Sequence, residues 1–207
     1  VARFGRTERA AHWIHALGFF TLLGSGLVLY LPALSAVVGD RPLAKSVHLV
    51  AAVAWLSGLL LVATLGDHRA LRRTRQQLER FDRDDALWLR GRGAPQGRFN
   101  AGQKAHAVLQ AALAVLFTVS GVLLWLGERN TDFRLSGTLS LHDGCMFVAT
   151  AAVLGHLYLA LLHPTTRRAL RGMVRGTVDA AWARRHHAKW TAAPPAAAPP
   201  WRPTTTQ

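Results

Sequence analysis

Residues 140–164 read SLHDGCMFVATAAVLGHLYLALLHP, and the fold is decided there. Residues 144–166 run for 23 positions without Asp, Glu, Lys or Arg. At ~1.5 Å rise per residue a helix of that length crosses a hydrocarbon core of ~30 Å. The stretch also carries His142 and His156, fourteen residues apart. Fourteen helical steps rotate through ~1400°, which returns to within ~40° of the same face after a rise of ~21 Å. One membrane helix thus presents two imidazoles to one side, at opposite depths.

Working outward, three more runs lack the same four residue types: 10–39 (30 residues), 46–66 (21) and 105–127 (23). Pro32 reads as the stop of the first. The expected spans are therefore about 10–31, 45–66, 104–127 and 139–163, giving an all-α integral membrane protein, a four-transmembrane-helix bundle. Half of the 207 residues are apolar and 17% charged, which excludes a disordered chain. The first span is too long for a signal-peptide core and no AxA-like site follows it, so it is expected to remain in the protein.

The net charge of +14 is segregated. With four spans, residues 1–9, 67–104 and 164–207 share one side and hold 21 Lys and Arg, whereas 32–45 and 128–143 hold 4. The positive-inside rule places both termini and the loop 67–103 in the cytoplasm. In that loop Leu71, Leu78, Phe81 and Trp88 among arginines suggest an interfacial helix, or equally a solvated basic loop on anionic lipid, before a Gly/Pro-rich turn at 91–97. Residues 1–190 form the membrane domain, and the Pro/Ala-rich tail 191–207 is expected to be disordered or extended. No internal repeat is expected.

A lone cysteine, Cys145, excludes an internal disulfide, a CxxC zinc site, an iron–sulfur cluster and covalent haem attachment. The histidines carry the chemistry, because ionisable residues inside spans mark function. His48 opens span two at the depth of His142, and His12 opens span one at the depth of His156. Two cross-helix pairs result, one near each surface, a layout that suits two b haems stacked across the bilayer. Neutral imidazoles are iron ligands, and two per iron leave no open position, so the expected role is electron transfer. His15, three residues from His12, could replace it on spacing alone. His163, beside Pro164, reads as interfacial. Gly26, fourteen residues beyond His12, could let a porphyrin approach the backbone, or simply let helices pack. Arg6 and Arg9 at the inner level, with Arg41 and Lys45 at the outer, could pair with haem propionates or with lipid headgroups.

The motifs RTERAAHW (6–13), SVHLVAAVAW (46–55), RFNAGQKAH (98–106), LHDGC (141–145), GHLYLALLHPTTRRALRGM (155–173) and RRHHAKW (184–190) occur in that order. Together they resemble the gamma subunit of membrane-bound formate dehydrogenase, a diheme cytochrome b, over residues 3 to 190. Ala188 departs from the proline expected in the tail motif. The resemblance implies that His12 and His156 bind the iron of the cytoplasmic-side haem, and that His48 and His142 bind that of the outer one. It selects His12 over His15.

The resemblance also places a quinone site, for menaquinone or ubiquinone, at Asn100, Gly102, Gln103 and Lys104 beside His156. Asn100 followed by Gln103 is a capping-box pattern as well, and the two roles can coexist. Lys104 and His106 could relay protons. The implied partners are an iron–sulfur beta subunit and a catalytic alpha subunit with a molybdenum or tungsten pterin. The expected protein is thus the quinone-reducing cytochrome b subunit of a respiratory formate dehydrogenase in the bacterial inner membrane. It would hold no catalytic residue for formate itself, and it would contribute to the proton motive force. The alternatives are a cytochrome subunit of a hydrogenase or another quinone-linked oxidoreductase and, more distantly, a haem-free transporter or anchor.

Overall fold

Four long apolar helices dominate the computed structural model, which describes residues 1–192. Helix α1 (Arg6–Tyr30) ends where Pro32 opens the short α2 (Pro32–Val38), whose C-cap Gly39 adopts φ 71°. Asp40 then caps α3 (Arg41–Leu65), its carboxylate accepting from Leu43 N at 2.8 Å. The loop folds as α4 (His68–Glu79) and α5 (Arg83–Leu89), followed by turns in which Gly91 and Gly93 both have positive φ. Helix α6 (Ala101–Gly127) leads to α7 (Thr138–Leu157). A single π-type turn, Tyr158–Leu162, extends α7 to Pro164. Three short helices, α8 (Leu170–Arg175), α9 (Ala180–His186) and α10 (Ala188–Ala192), close the described chain. Thr191 and Ala192, expected in the extended tail, are the last residues of α10, which starts directly after α9. Residues 193–207 lie outside the described part.

The long helices bury little surface on one another. Leu17, Leu60 and Leu65 are 72%, 64% and 81% exposed. Such a surface is untenable in water and ordinary in lipid, where each helix satisfies its own backbone hydrogen bonds. Helices α1 and α3 meet through small residues: a methyl on Gly18 would lie 2.8 Å from Trp55 Cβ, and one on Gly58 would lie 2.9 Å from Ile14 Cγ2. Gly18→Val therefore forces the two helices apart, at a cost of about 1–3 kcal/mol. A thermal melt in detergent should show the lowered midpoint, whereas Gly24→Ala, with open space around it, should leave the melt unchanged.

Arg3-Phe4 and Arg98-Phe99 stand 95 residues apart and face one another: Arg3 donates to Arg98 O (2.7 Å), Arg98 donates to Arg3 O (3.2 Å), and the two phenylalanine rings lie 5.7 Å apart. The same offset relates SGLVLYL (25–31) on α1 to SGVLLWL (120–126) on α6. Helices α1 and α6 thus carry a short common pattern at one offset, Arg-Phe before the start and Ser-Gly near the end.

Both Arg-Phe pairs lie at the arginine-rich end of the bundle, the basic end. Arg98 donates to Glu8 Oε1 at 2.6 Å, and both side chains meet the Thr74 hydroxyl, which docks α4. His187 is 1% exposed; its Nδ1–H donates to Gly97 O at 2.6 Å, and Nε2 faces the Arg3 guanidinium at 3.2 Å. Burial first, and then the Arg3 charge, push its pKa down from 6.5 to about 4. Between those values the unfolded chain binds a proton that the folded chain refuses. Stability is therefore full above pH 6.5 and falls as pH drops toward 4. Melting curves across that window should flatten in His187→Gln.

Candidate cofactor site

Helix geometry brings the expected histidines together in two places. At the far end of the bundle the His48 and His142 rings stand 6.3 Å apart between centroids. At the basic end, His12 and His156 stand 6.4 Å apart. Two imidazoles on opposite sides of one metal, with metal–nitrogen bonds of ~2.0 Å, hold their ring centroids about 6.3 Å apart. Both spacings leave room for an iron between the rings, and the all-imidazole donor set suits a b haem.

The far pair is held symmetrically. His48 Nδ1 lies 2.9 Å from Ser25 Oγ on α1, and His142 Nδ1 lies 2.8 Å from Ser120 Oγ on α6. Beside them, Gly26 and Gly121 stand against the two rings: an added methyl would lie 3.5 Å from His48 Cε1 and 3.6 Å from His142 Cε1. That is ordinary contact, so the rings alone do not demand glycine, and the bare backbone leaves room for a flat ligand next to each imidazole. Phe117 packs edge-on against His142 at 5.2 Å. Lys45, a candidate propionate partner, is paired with Glu128 at 2.6 Å, and Arg41 donates to Leu29 O at 2.8 Å.

The near pair is arranged differently. His12 Nδ1 is buried without a hydrogen-bond partner. His106 stacks face to face on His156, 4.9 Å between centroids and 9° between planes. Stacked rings set their nitrogens side by side, so His106 supports the orientation of His156 and cannot share an axial line with it. His15 accepts from Trp55 Nε1 at 3.3 Å and rests on that indole, on the α3 side of α1. Spacing alone leaves His12 and His15 interchangeable, but only His12 is brought to α7. His163, at the end of the π-type turn, bonds to Thr165 and Thr166.

The motif at the start of α6 forms the capping box. Asn100 Oδ1 accepts from Gln103 N (2.8 Å), and Gln103 Oε1 accepts from Asn100 N (3.1 Å) and Arg3 (3.2 Å). All three contacts use the amide oxygens; among the described residues the two amide nitrogens make no hydrogen bond. Gln103 lies one turn before His106 on α6, on the face that meets His156. The Trp88 ring lies over Gly102, at 3.4 Å from where a methyl would stand. Lys104 is buried, with Nζ 2.6 Å from Asp85 Oδ2 and 2.9 Å from Arg80 O, so its charge is committed to α5. Asp85, Ser25, Ser120 and Gly121 are not singled out from sequence. The repeated Ser-Gly pair at the 95-residue offset was the signal for three of them.

Histidines paired across long apolar helices fit the class of membrane b-type cytochromes. Residues 3–176 match the prokaryotic cytochrome b561 family, and the chain is a member of it, a bacterial membrane cytochrome b of electron transport. It is 28% identical to the formate dehydrogenase cytochrome b556(fdo) subunit of Escherichia coli K12, over 92% of this chain and 91% of that one. It is 24% identical to the cytochrome b556 subunit of formate dehydrogenase from Haemophilus influenzae, over 92% and 82%. The nitrate-inducible cytochrome b556(Fdn) subunit of E. coli K12 is also 24% identical, over 88% and 86%. The resemblance first drawn from the motifs therefore stands.

Proposed function

We propose that this chain is the cytochrome b membrane subunit of a respiratory formate dehydrogenase, holding two b haems: the outer on His48 and His142, the inner on His12 and His156. The single observation that carries this reading is the pair of imidazole couples at 6.3 and 6.4 Å, one near each end of the bundle. When bound, the haems supply one-electron transfer across the bilayer, from an iron–sulfur beta subunit fed by a molybdenum- or tungsten-pterin alpha subunit to membrane menaquinone or ubiquinone.

The chain's own residues do the rest. His12, His48, His142 and His156 would hold the two haems, two imidazoles to each, and would leave neither iron open to oxygen or substrate. Asn100 and Gln103, their oxygens already spent on the cap, offer amide N–H groups to a quinone carbonyl one turn from the inner pair. Gly102 and His156 bound that site, and Lys104, tied to Asp85, anchors its floor. Both termini and the arginine-rich loop face the cytoplasm, as the 21-to-4 distribution of basic residues favours. Quinone protonation then draws on the cytoplasm, electrons move inward, and turnover builds part of the proton motive force. Assay of the complex with formate and with hydrogen tests the assignment of donor: formate should reduce the cytochrome and hydrogen should not. The opposite result would place the chain in a hydrogenase.

A further inference from the structure

The two histidine pairs differ in what holds the ring nitrogen that does not face its partner. Ser25 Oγ lies 2.8 Å from Thr21 O, and Ser120 Oγ lies 2.6 Å from Leu116 O. Two oxygens approach that closely only with a hydrogen between them, and a serine hydroxyl has one hydrogen. Each hydroxyl proton is therefore spent on the helix backbone, and each contact to a histidine runs the other way: the ring Nδ1–H donates to Oγ, at 2.9 Å for His48 and 2.8 Å for His142. Nε2 is then the lone-pair nitrogen in both rings. Ser120 is 1% exposed and Ser25 9% exposed, so water does not compete for these bonds. At the other end of the bundle, His12 Nδ1 is equally buried but has no acceptor.

We propose that Ser25 and Ser120 are positioning residues that lock the outer ligands as Nε2 donors and set the outer haem at a lower reduction potential than the inner one. An imidazole whose N–H is held by an acceptor is a stronger donor to its metal, which favours the oxidised iron. With this bond on both outer ligands, and missing on His12, the one-electron equilibrium between the two sites leans toward the inner haem. The hydrogen bonding of the chain thus gives electron flow its inward direction, independently of the quinone. The proposal rests on the ligand assignment made above.

The test is a potentiometric titration of the haem α-bands in the haem-loaded protein, with haem counted by pyridine haemochrome. Ser25→Ala and Ser120→Ala should each raise the midpoint of the lower-potential haem and leave the other unmoved. Ser25→Thr and Ser120→Thr, which keep a hydroxyl, should restore the wild-type value. Should an alanine variant shed the outer haem altogether, recovery of that haem by threonine supports the proposal, and failure to recover it overturns it. Two haems with unmoved midpoints in the alanine variants overturn it too, while leaving the ligand assignment intact. His48→Ala serves as the separate control: two haems retained there would overturn the ligand assignment itself.

Discussion

His156→Ala is expected to remove one of two b haems and to reduce the rate of quinone reduction by formate by more than a hundredfold, while formate still reduces the haem that remains. Two imidazoles stand beside His156: His12 at 6.4 Å, a spacing that leaves room for an iron, and His106 stacked on its face at 4.9 Å. Removing it leaves His12 alone, and a single imidazole cannot complete a six-coordinate b haem. His106 has the wrong ring attitude to take its place. The outer couple, ~21 Å along the same helix, is separate enough to stay intact. Difference spectra with formate and with dithionite should therefore coincide at half the wild-type amplitude. Full two-haem amplitude in this variant would mean that another residue holds the inner iron.

The next largest effect is expected in stability. Lys104→Met should destabilise the basic end by about 3–5 kcal/mol, because it strands the Asp85 carboxylate in a buried site. Lys104 Nζ is 2.6 Å from that carboxylate, and Asp85 is 3% exposed. Asp85 also closes the cap of α5 by accepting from Asp82 N at 2.9 Å. Lys104→Met combined with Asp85→Asn removes both charges and keeps an oxygen for the cap, so the double variant should recover most of the loss. Detergent melts of the two variants give the comparison. The single variant should also raise the quinone KM, since α5 carries the Trp88 ring that covers Gly102.

What the sequence could and could not disclose follows from the range of each interaction. The four spans were legible because length and the lack of charge are properties of a contiguous run, and Pro32 marks the end of α1 by its own chemistry. The face shared by His142 and His156 follows from helical pitch within one element. The choice between His12 and His15 depends instead on Trp55, forty residues away, which takes up His15. The commitment of Lys104 was hidden for the same reason: Asp85 belongs to a loop helix that folds back on α6.

Ser25 and Ser120 look like neutral passengers in apolar runs until the histidine of the next span is placed beside each. Arg-Phe before α1 and α6, and Ser-Gly near the end of each, are too short to read as a repeat. That the two Arg-Phe pairs face one another appears only in the fold, where Arg3 and Arg98 exchange hydrogen bonds.

The central claim is that this chain grips two irons, each between one imidazole from each of two helices. Its most direct measurement is haem content per chain in the purified protein, together with a reduced-minus-oxidised spectrum taken with formate. The account predicts two b haems per chain, both six-coordinate and both reduced by formate through the complex. A chain that carries one haem or none, or whose spectrum survives replacement of all four of His12, His48, His142 and His156, would contradict it.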